Sequence, residues 1–334
     1  MRKFIPLALS LLLLLSAAGC GIEQGEEPEK VSKTTMMLDT VITITLYDWT
    51  DASTIDLAFE EIGRLEKILS VEQEDSDLDR LAKAAGKEWV EIAPETEELL
   101  RQAKEYTALS EGHFDITIGP LVALWDIHDG TGHLPSQEEL DAVLPLIHSD
   151  DLLVEKGRAY LAREGMIANL GAIAKGYIAD KAKEVLVGQG VAHAVLDLGH
   201  NILLIGDKTQ GQGFTVAIRD PNSQENPYVD IVSATDKSVV TSGIDQRNFT
   251  DGGKTYHHIL DPFTGFPADN GLASVTILSN TSTQGDALST SCFLLGPEKG
   301  MALVESLEDV EALFITTDGQ LIPSSGYEAY RAER

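Results

Sequence analysis

The chain has 334 residues, and its 43% hydrophobic and 24% charged content is typical of a globular protein with a large core. Its charge is unusual, because 54 acidic against 25 basic residues give a net charge of −29. So acidic a surface repels phosphate backbones, which argues against nucleic acid as a partner. A phosphate-bearing ligand would need a cation or a local group of backbone amides at its site.

The first twenty residues predict an exported protein with a lipid anchor. A short basic start is followed by an apolar stretch, residues 4–15, which is too short to span a bilayer. Small residues then lead to Cys20, which resembles the cleavage and lipidation site of a lipoprotein signal. The alternative is an ordinary secretory signal with an incidental cysteine. We predict a signal peptide over residues 1–19, a flexible acidic tether over residues 20–33, and attachment through Cys20 to the extracytoplasmic face of a bacterial cell membrane.

Residues 34–334 predict a single α+β domain with a mostly antiparallel sheet and packed helices. Residues 34–47 alternate apolar and β-branched side chains, which predicts a strand with one buried face. Apolar residues at helical spacing predict a helix that ends near residue 69, and a second helix over residues 94–110. The acidic segment 70–85 between them lacks the spacing of a calcium loop and favours a solvated loop.

The middle of the chain mixes short helices with a hairpin. Residues 113–122 place polar and aromatic side chains between glycines, and a short apolar segment continues to residue 125. Ser136 and Glu139 have the spacing of a capping box, which predicts a helix start. A hairpin is expected from two short β-prone runs, at residues 152–154 and 160–161.

The second half predicts mostly strands, followed by two helices. A helix over residues 283–295 should stop at Gly296-Pro297, and another should span residues 299–307. Cys292 is the only cysteine besides Cys20, so the domain has no internal disulfide. The predicted strands lie at residues 195–198, 202–205, 214–218, 228–233, 239–241 and 274–278, with two short strands at the end of the chain.

The glycine-punctuated loop 171–176 leads into an amphipathic helix and is one candidate binding element. Free amides at a helix start can bind phosphate, and Lys175 adds positive charge there. The loop matches neither the Walker pattern nor the dinucleotide pattern. Taken alone, the loop is better explained as a tight strand-to-helix turn.

Asp286 and Thr290 are four residues apart at the start of a predicted helix, so they share one face. A carboxylate and a hydroxyl, completed by carbonyl and phosphate oxygens, form a hard oxygen set suited to Mg²⁺. The competing explanation is ordinary chemistry at the entry of a helix, where hydroxyls cap and acidic residues are favourable.

The segment 255–265 contains two histidines and an aspartate next to a turn. A strand over residues 256–260 would deliver His258 and Asp261 to the mouth of that turn, where a rigid scaffold often presents reactive groups. His257 would point to the opposite face of the strand. Either His258 or Asp261 could act as a base, and a solvated Asp-Pro turn is the plainer alternative.

Together, the order and spacing of these motifs resemble the ApbE family, the FAD:protein FMN transferases, which are often exported lipoproteins. The resemblance covers nearly the whole mature chain, from about residue 36 to residue 316. Its motifs are Leu38-Asp39-Thr40, Ser76-Asp77-Leu78, HFDITIGPLV from His113, GAIAKGYIAD from Gly171, Thr241-Ser242-Gly243, HHILDPFTG from His257 and DALST from Asp286.

The resemblance implies Mg²⁺-dependent transfer of FMN from FAD to a threonine or serine of an exported acceptor protein, with release of AMP. Asp286, Thr290 and the main-chain carbonyl of Ala172 would hold the metal. His258 would take the proton of the acceptor hydroxyl, with Asp261 either orienting the imidazole or acting as the base itself. The FAD site would be lined by Leu38, His113, Phe114, Asp115, Asn169, Lys175 and Leu260.

Two other functions stay open: an FAD pyrophosphatase that releases FMN and AMP, and a flavin-binding lipoprotein without catalysis. The chain also departs from the family pattern at three positions. Leu38 replaces a common methionine, Glu72 stands where an aromatic residue often stacks near the flavin, and His200 occupies the place of a second glycine.

Overall fold

The computed structural model describes residues 29–208, 211–223, 225 and 227–332. The predicted signal peptide, Cys20 and most of the predicted tether lie outside these residues. The helices are α1 (Ser53–Leu69), α2 (Asp77–Lys83), α3 (Pro94–Leu109), α4 (Gly119–Trp125), α5 (Gln137–Val143), α6 (Ala174–Gly188) and α7 (Ser282–Glu305). No helix in the described part of the chain is long and apolar enough to cross a membrane.

The strands are β1 (Lys30–Met37), β2 (Thr40–Tyr47), β3 (Val90–Glu91), β4 (Leu152–Glu155), β5 (Arg158–Leu161), β6 (Ala194–Asp197), β7 (Asn201–Ile205), β8 (Phe214–Arg219), β9 (Tyr228–Ala234), β10 (Ser238–Gly243), β11 (Asn248–Asp251), β12 (Lys254–His257), β13 (Leu272–Ser279), β14 (Glu311–Thr316) and β15 (Leu321–Pro323). Eight of them form one sheet in the order β1-β2-β6-β7-β10-β13-β14-β15. Every neighbouring pair in this sheet is antiparallel, which confirms the predicted α+β class.

The sheet is covered on both faces at β13, where all eight residues are buried. Val275 and Ile277 pack on one face with Leu288 and Phe293 of α7. On the opposite face, Leu278 joins a cluster with the hairpin β8–β9. A strand buried on both faces reads as a continuous apolar run rather than as an alternating one. This packing fixes α7, which carries two candidate site residues, against the sheet.

The predicted strand 34–47 is instead a hairpin, with β1 paired to β2. Leu38 and Asp39 form its turn, both with a φ of 54°, the left-handed pair that tight hairpins favour. The backbone amide of Leu38 donates to Glu66 Oε1 of α1 at 3.0 Å, which holds the turn in place. The hairpin also starts earlier than expected, because β1 begins at Lys30 within the predicted tether.

The acidic segment 70–85 contains α2 and is not simply a solvated loop, so that prediction was wrong there. Ser76 caps the helix by accepting from the amide of Asp79. Asp77 is buried, and its Oδ2 accepts from the amide of Ala93 and the hydroxyl of Thr96, both at 2.6 Å. The acidic residues therefore serve as caps and as inward hydrogen-bond acceptors.

Several other elements confirm the sequence predictions. Ser136 and Glu139 form the predicted capping box, and β4 pairs with β5 as the expected hairpin. The two helices predicted around residue 296 form one element, α7, with a kink at Gly296, whose φ of 80° is not helical. Cys292 is buried inside this helix as a free thiol.

The covering of both faces of β13 should make it a main source of stability. Replacing Ile277, which has no exposed surface, by alanine should lower the free energy of unfolding by about 2–5 kcal/mol. Ile231→Ala removes the same atoms from a side chain that is 46% exposed. This control should change the free energy of unfolding by less than about 0.5 kcal/mol. Urea denaturation of both variants tests this, and equal losses would contradict the described packing.

Candidate active site

A cavity of about 520 Å³ lies where the main sheet, the start of α6 and the start of α7 meet. Its walls come from the tip of the β1–β2 hairpin, the glycine loop, the end of β10 and the chain after β12. The cavity brings together eleven of the residues predicted from the sequence: Leu38, His113, Phe114, Asp115, Asn169, Ala172, Lys175, His258, Leu260, Asp286 and Thr290.

Asp286 is the most deeply placed acidic group of this cavity, with 5% of its surface exposed. Its Oδ2 accepts a 2.9 Å hydrogen bond from the backbone amide of Gly176 in α6. A Cβ atom at Gly176 would lie 2.2 Å from the carbonyl oxygen of Ser282, so only glycine allows this close approach of α6 and α7. Burial raises the pKa of Asp286, while the charge of Lys175 and the Gly176 amide act in the opposite direction.

Hydroxyl groups surround the next turn of α7. The hydroxyl of Thr290 lies 3.2 Å from the hydroxyl of Ser242 at the end of β10, and Ser242 lies 2.8 Å from the hydroxyl of Ser289. The antiparallel pairing of β10 with β13 places Ser242 opposite Val275, under the start of α7. The sheet and the helix together therefore present a row of oxygen atoms beside Asp286.

These groups fit a hard divalent cation such as Mg²⁺. Asp286 supplies a carboxylate and Thr290 a hydroxyl, and both line the cavity with Ala172. In a continuous helix the amide of Gly176 would donate to the carbonyl of Ala172, four residues earlier. Here that amide donates to Asp286 instead, so it does not occupy the Ala172 carbonyl. No cluster of three or more His, Cys, Asp or Glu side chains suited to a metal occurs among the described residues. A metal here would therefore depend on hydroxyl, carbonyl and ligand oxygens, which suits Mg²⁺ better than zinc.

His258 follows β12 directly and lines the cavity. Its backbone amide and its ring Nδ1 both face the carbonyl oxygen of Arg247, at 3.1 Å and 3.2 Å. Because a carbonyl only accepts hydrogen bonds, Nδ1 carries the proton and Nε2 keeps its lone pair. Desolvation lowers the pKa of His258 to about 4, and the charges of Arg247 and Lys175 contribute to the lowering. The imidazole is therefore neutral at pH 7, as a proton acceptor must be.

The other two polar residues of this segment have structural positions. His257 is buried on the opposite side, and its Nε2 donates to the carbonyl of Ala268 at 3.0 Å. Asp261 Oδ1 accepts from the amide of Phe263 at 2.9 Å, and its main chain closes the turn with Gly265 and Phe266. Asp261 is not among the residues that line the cavity. The orienting contact expected from Asp261 is instead made by the Arg247 carbonyl.

Two of the predicted flavin-contacting residues, Asp115 and Asn169, accept hydrogen bonds from the main chain of the cavity wall. Asp115 accepts from the amide and hydroxyl of Thr117 through Oδ1 and from the amide of Ser149 through Oδ2. Asn169 Oδ1 accepts from the amide of Gly171 at 2.8 Å, which folds the glycine loop. Through these oxygens the two residues position the main chain of the cavity wall.

His113 is placed differently from these two residues. Its ring meets the ring of Phe263 edge-on at a centroid distance of 4.9 Å. Its Nδ1 is buried and has no hydrogen-bond partner within the described ranges. Phe114 is almost fully buried beside it. His113 thus lines the cavity with a ring whose buried Nδ1 has no partner in the described structure.

Sequence reasoning missed Arg247, which lines the cavity both with its side chain and through the contact of its carbonyl to His258. In the sequence, the only indication of a role for Arg247 is its positive charge four residues after the motif Thr241-Ser242-Gly243. The departures Glu72 and His200 also line the cavity. His200 has a φ of 64°, and its Nε2 accepts from the Arg219 guanidinium at 3.0 Å. That contact fixes the ring of a residue in an unusual backbone conformation.

The amino-acid sequence is similar to a known protein family and to several of its members. The sequence profile of the ApbE family matches residues 38–314. An FAD:protein FMN transferase of Treponema pallidum is 35% identical over 314 residues, which cover 88% of this chain and 87% of the relative. An enzyme of the same description from Klebsiella pneumoniae is 34% identical over 296 residues, which cover 88% of this chain and 92% of the relative.

The fold is similar to solved structures of the same family. The crystal structure of the ApbE protein from Thermotoga maritima has a TM-score of 0.83 and 28% identity, covering 91% of this chain and 100% of that chain. The flavin transferase ApbE from Vibrio cholerae has a TM-score of 0.80 and 28% identity, covering 91% of this chain and 99% of that chain. The fold is therefore that of the solved flavin transferases. The chain belongs to the ApbE family.

The lowered pKa of His258 predicts a specific pH dependence of stability. An unfolded histidine has a pKa near ~6.5. With a folded value of about 4, the unfolded chain binds more protons between these two values. The contribution of His258 to stability is therefore present above about pH 6.5 and is lost as the pH falls through about 4.

We expect His258→Gln to lose less stability than the unsubstituted protein between pH 6.5 and pH 4. Urea denaturation at a series of pH values measures the difference. His128→Gln is the control, because the His128 side chain is 63% exposed. Identical pH curves for His258→Gln and the unsubstituted protein would contradict the described environment of His258.

Proposed function

We propose that this protein transfers FMN from FAD to a threonine or serine hydroxyl of an exported acceptor protein and releases AMP. The observation that carries the proposal is the cavity itself. One wall holds a buried carboxylate with hydroxyl and carbonyl oxygens, and another holds the neutral imidazole of His258 with its Nε2 unprotonated. Phosphoryl transfer depends mainly on positioning and charge neutralisation, and these groups supply both.

Asp286, Thr290 and the carbonyl of Ala172 are the proposed Mg²⁺ ligands. When bound there, Mg²⁺ would offset the charge of the FAD diphosphate and polarise its oxygens. The protein fixes the ligand positions beforehand, because Asp286 is held by the Gly176 amide and Thr290 by the neighbouring Ser242 hydroxyl. Preorganised oxygen ligands of this kind need little rearrangement when the substrate binds.

His258 is the proposed proton acceptor. Its Nε2 takes the proton of the acceptor hydroxyl as that oxygen bonds to the phosphorus of the FMN half. The bond between that phosphorus and the bridging oxygen of the diphosphate breaks, and AMP leaves. The Arg247 carbonyl keeps the imidazole in the tautomer that this step requires. Asp261 has no part in the proposed step, because it does not line the cavity and its Oδ1 accepts from the Phe263 amide in the turn.

The cavity walls suit a flavin dinucleotide at both ends. Phe114 and Leu260 provide apolar surface, and the ring of His113 lines the cavity beside Phe114. Lys175 stands in the first turn of α6, where its own charge and the positive end of the helix dipole favour anionic groups. Such local positive charge is needed because the chain as a whole carries −29.

We also propose that the protein acts outside the cytoplasm, attached by lipid on Cys20. This proposal is supported by the basic start, the apolar stretch and the small residues before Cys20. A tether of acidic, polar residues would then separate the membrane surface from β1 at Lys30. An exported acceptor protein would meet the cavity on the same side of the membrane.

The products of the reaction test the proposed activity. The mature protein, incubated with FAD, Mg²⁺ and an exported candidate acceptor, should yield an acceptor whose flavin fluorescence survives a denaturing gel. AMP should appear in equal amount with the attached FMN, because each transfer breaks one diphosphate bond. Replacing the modified threonine or serine of the acceptor by alanine should abolish the labelling.

Two variants connect this activity to the cavity. Asp286→Asn should lower turnover at least ~100-fold, because it removes the charge of the proposed metal site. Asp269→Asn is the matched control, because Asp269 is 87% exposed and lies outside the cavity lining. Steady release of free FMN and AMP without acceptor labelling would indicate hydrolysis by water and would contradict the transferase proposal.

A further inference from the structure

Two walls of the cavity carry opposite charges that face each other. Asp39 lies at the tip of the β1–β2 hairpin, and Arg247 lies in the connection between β10 and β11. The Nη2 atom of Arg247 is 4.0 Å from Oδ2 of Asp39, and both residues line the cavity. The two side chains thus bridge the cavity from wall to wall.

The backbone of each partner is fixed. Asp39 is in the left-handed region, and the neighbouring amide of Leu38 is held by Glu66. The carbonyl of Arg247 accepts from both the amide and the ring of His258. The contact between them is a loose one, because a pair at 4.0 Å with side chains that are 47% and 76% exposed is weakly held in water.

A phosphate group would be a better partner for this guanidinium than Asp39. An arginine binds phosphate through two parallel hydrogen bonds, and charge-assisted bonds of this kind are about twice as strong as neutral ones. The positive charge of Arg247 also acts on the His258 imidazole, so the guanidinium lies near the proposed reacting centre. A diphosphate placed beside His258 would therefore come within reach of Arg247.

We propose that Arg247 binds the diphosphate of the flavin dinucleotide and that Asp39 holds Arg247 across the cavity until this ligand replaces it. The proposal rests on the proposed function and extends it to the recognition of the substrate. Arg247 favours FAD over flavins without a diphosphate, and Asp39 competes with the ligand for the same guanidinium. Asp39 is thereby a positioning residue and lowers the affinity for FAD.

Binding measurements separate this role from catalysis. The mature protein is titrated against FAD and against riboflavin in EDTA, with flavin fluorescence as the readout. Arg247→Met should weaken FAD binding roughly 10-fold or more, the effect of losing charge-assisted hydrogen bonds. Riboflavin binding should stay unchanged, which also shows that the variant is folded.

The control is Arg158→Met, because it removes the same charge from a side chain that is 49% exposed and lies outside the cavity lining. It should leave FAD affinity unchanged. Asp39→Asn should tighten FAD binding about two- to fivefold, the range expected for an exposed ion pair. In the Arg247→Met background, Asp39→Asn should have no effect, because the competing guanidinium is gone.

The outcomes distinguish this inference from the proposed function. If the unsubstituted protein binds FAD but Arg247→Met binds it equally well, Arg247 has no phosphate contact and the inference fails. The inference also fails if Asp39→Asn tightens FAD binding as much in the Arg247→Met background as in the unsubstituted protein. If the unsubstituted protein binds neither FAD nor riboflavin, either in EDTA or with Mg²⁺ added, the proposed function fails and the inference fails with it.

Discussion

The buried carboxylate of Asp286 is the group on which the arrangement of the cavity depends. A buried charge is costly unless hydrogen bonds or opposite charges compensate it. Here the Gly176 amide donates to Asp286 and the charge of Lys175 acts on it, so α6 must start beside α7. Only glycine at position 176 permits that approach, because a side chain would meet the backbone of Ser282. The requirement fixes the start of α6, so that the glycine loop with Ala172 lines the same cavity as Thr290.

Two cations stand in a cavity whose lining also includes six acidic residues, namely Asp39, Glu66, Glu72, Asp115, Asp129 and Asp286. The protein carries a net charge of −29, yet Lys175 and Arg247 stand at the cavity and act on the imidazole of His258. Local positive charge in a cleft attracts an anionic ligand even when the distant surface repels it. The same two cations lower the pKa of His258 and help to keep its imidazole neutral. In the proposed reaction they would act both on the anionic substrate and on the proton acceptor.

Local patterns in the sequence were sufficient for the fold class and for the shared face of Asp286 and Thr290, whereas most of the other cavity residues were expected only from the resemblance to the ApbE family. Apolar runs and alternation predicted β13 and its neighbours, and the spacing of Asp286 and Thr290 predicted a shared helix face. The β1–β2 turn escaped prediction because Leu38 and Asp39 adopt left-handed conformations without a glycine or asparagine to signal them.

The role of Arg247 escaped prediction for a different reason. Its carbonyl orients His258 across eleven residues of chain, and any residue type has a carbonyl, so the contact leaves no mark on the sequence. Asp261 was the candidate because it follows His258 by three residues at the same turn. The Asp-Pro turn uses that carboxylate for the amide of Phe263 instead. Contacts made through the main chain are visible only once the fold is known.

A crystal of the mature protein grown with FAD and Mn²⁺ in place of Mg²⁺ tests the central claim most directly. The account predicts an anomalous scattering peak bounded by Asp286, Thr290 and the carbonyl of Ala172. The FAD diphosphate should lie between that peak and Nε2 of His258. A manganese peak elsewhere in the protein, or a diphosphate bound away from His258, would contradict the account.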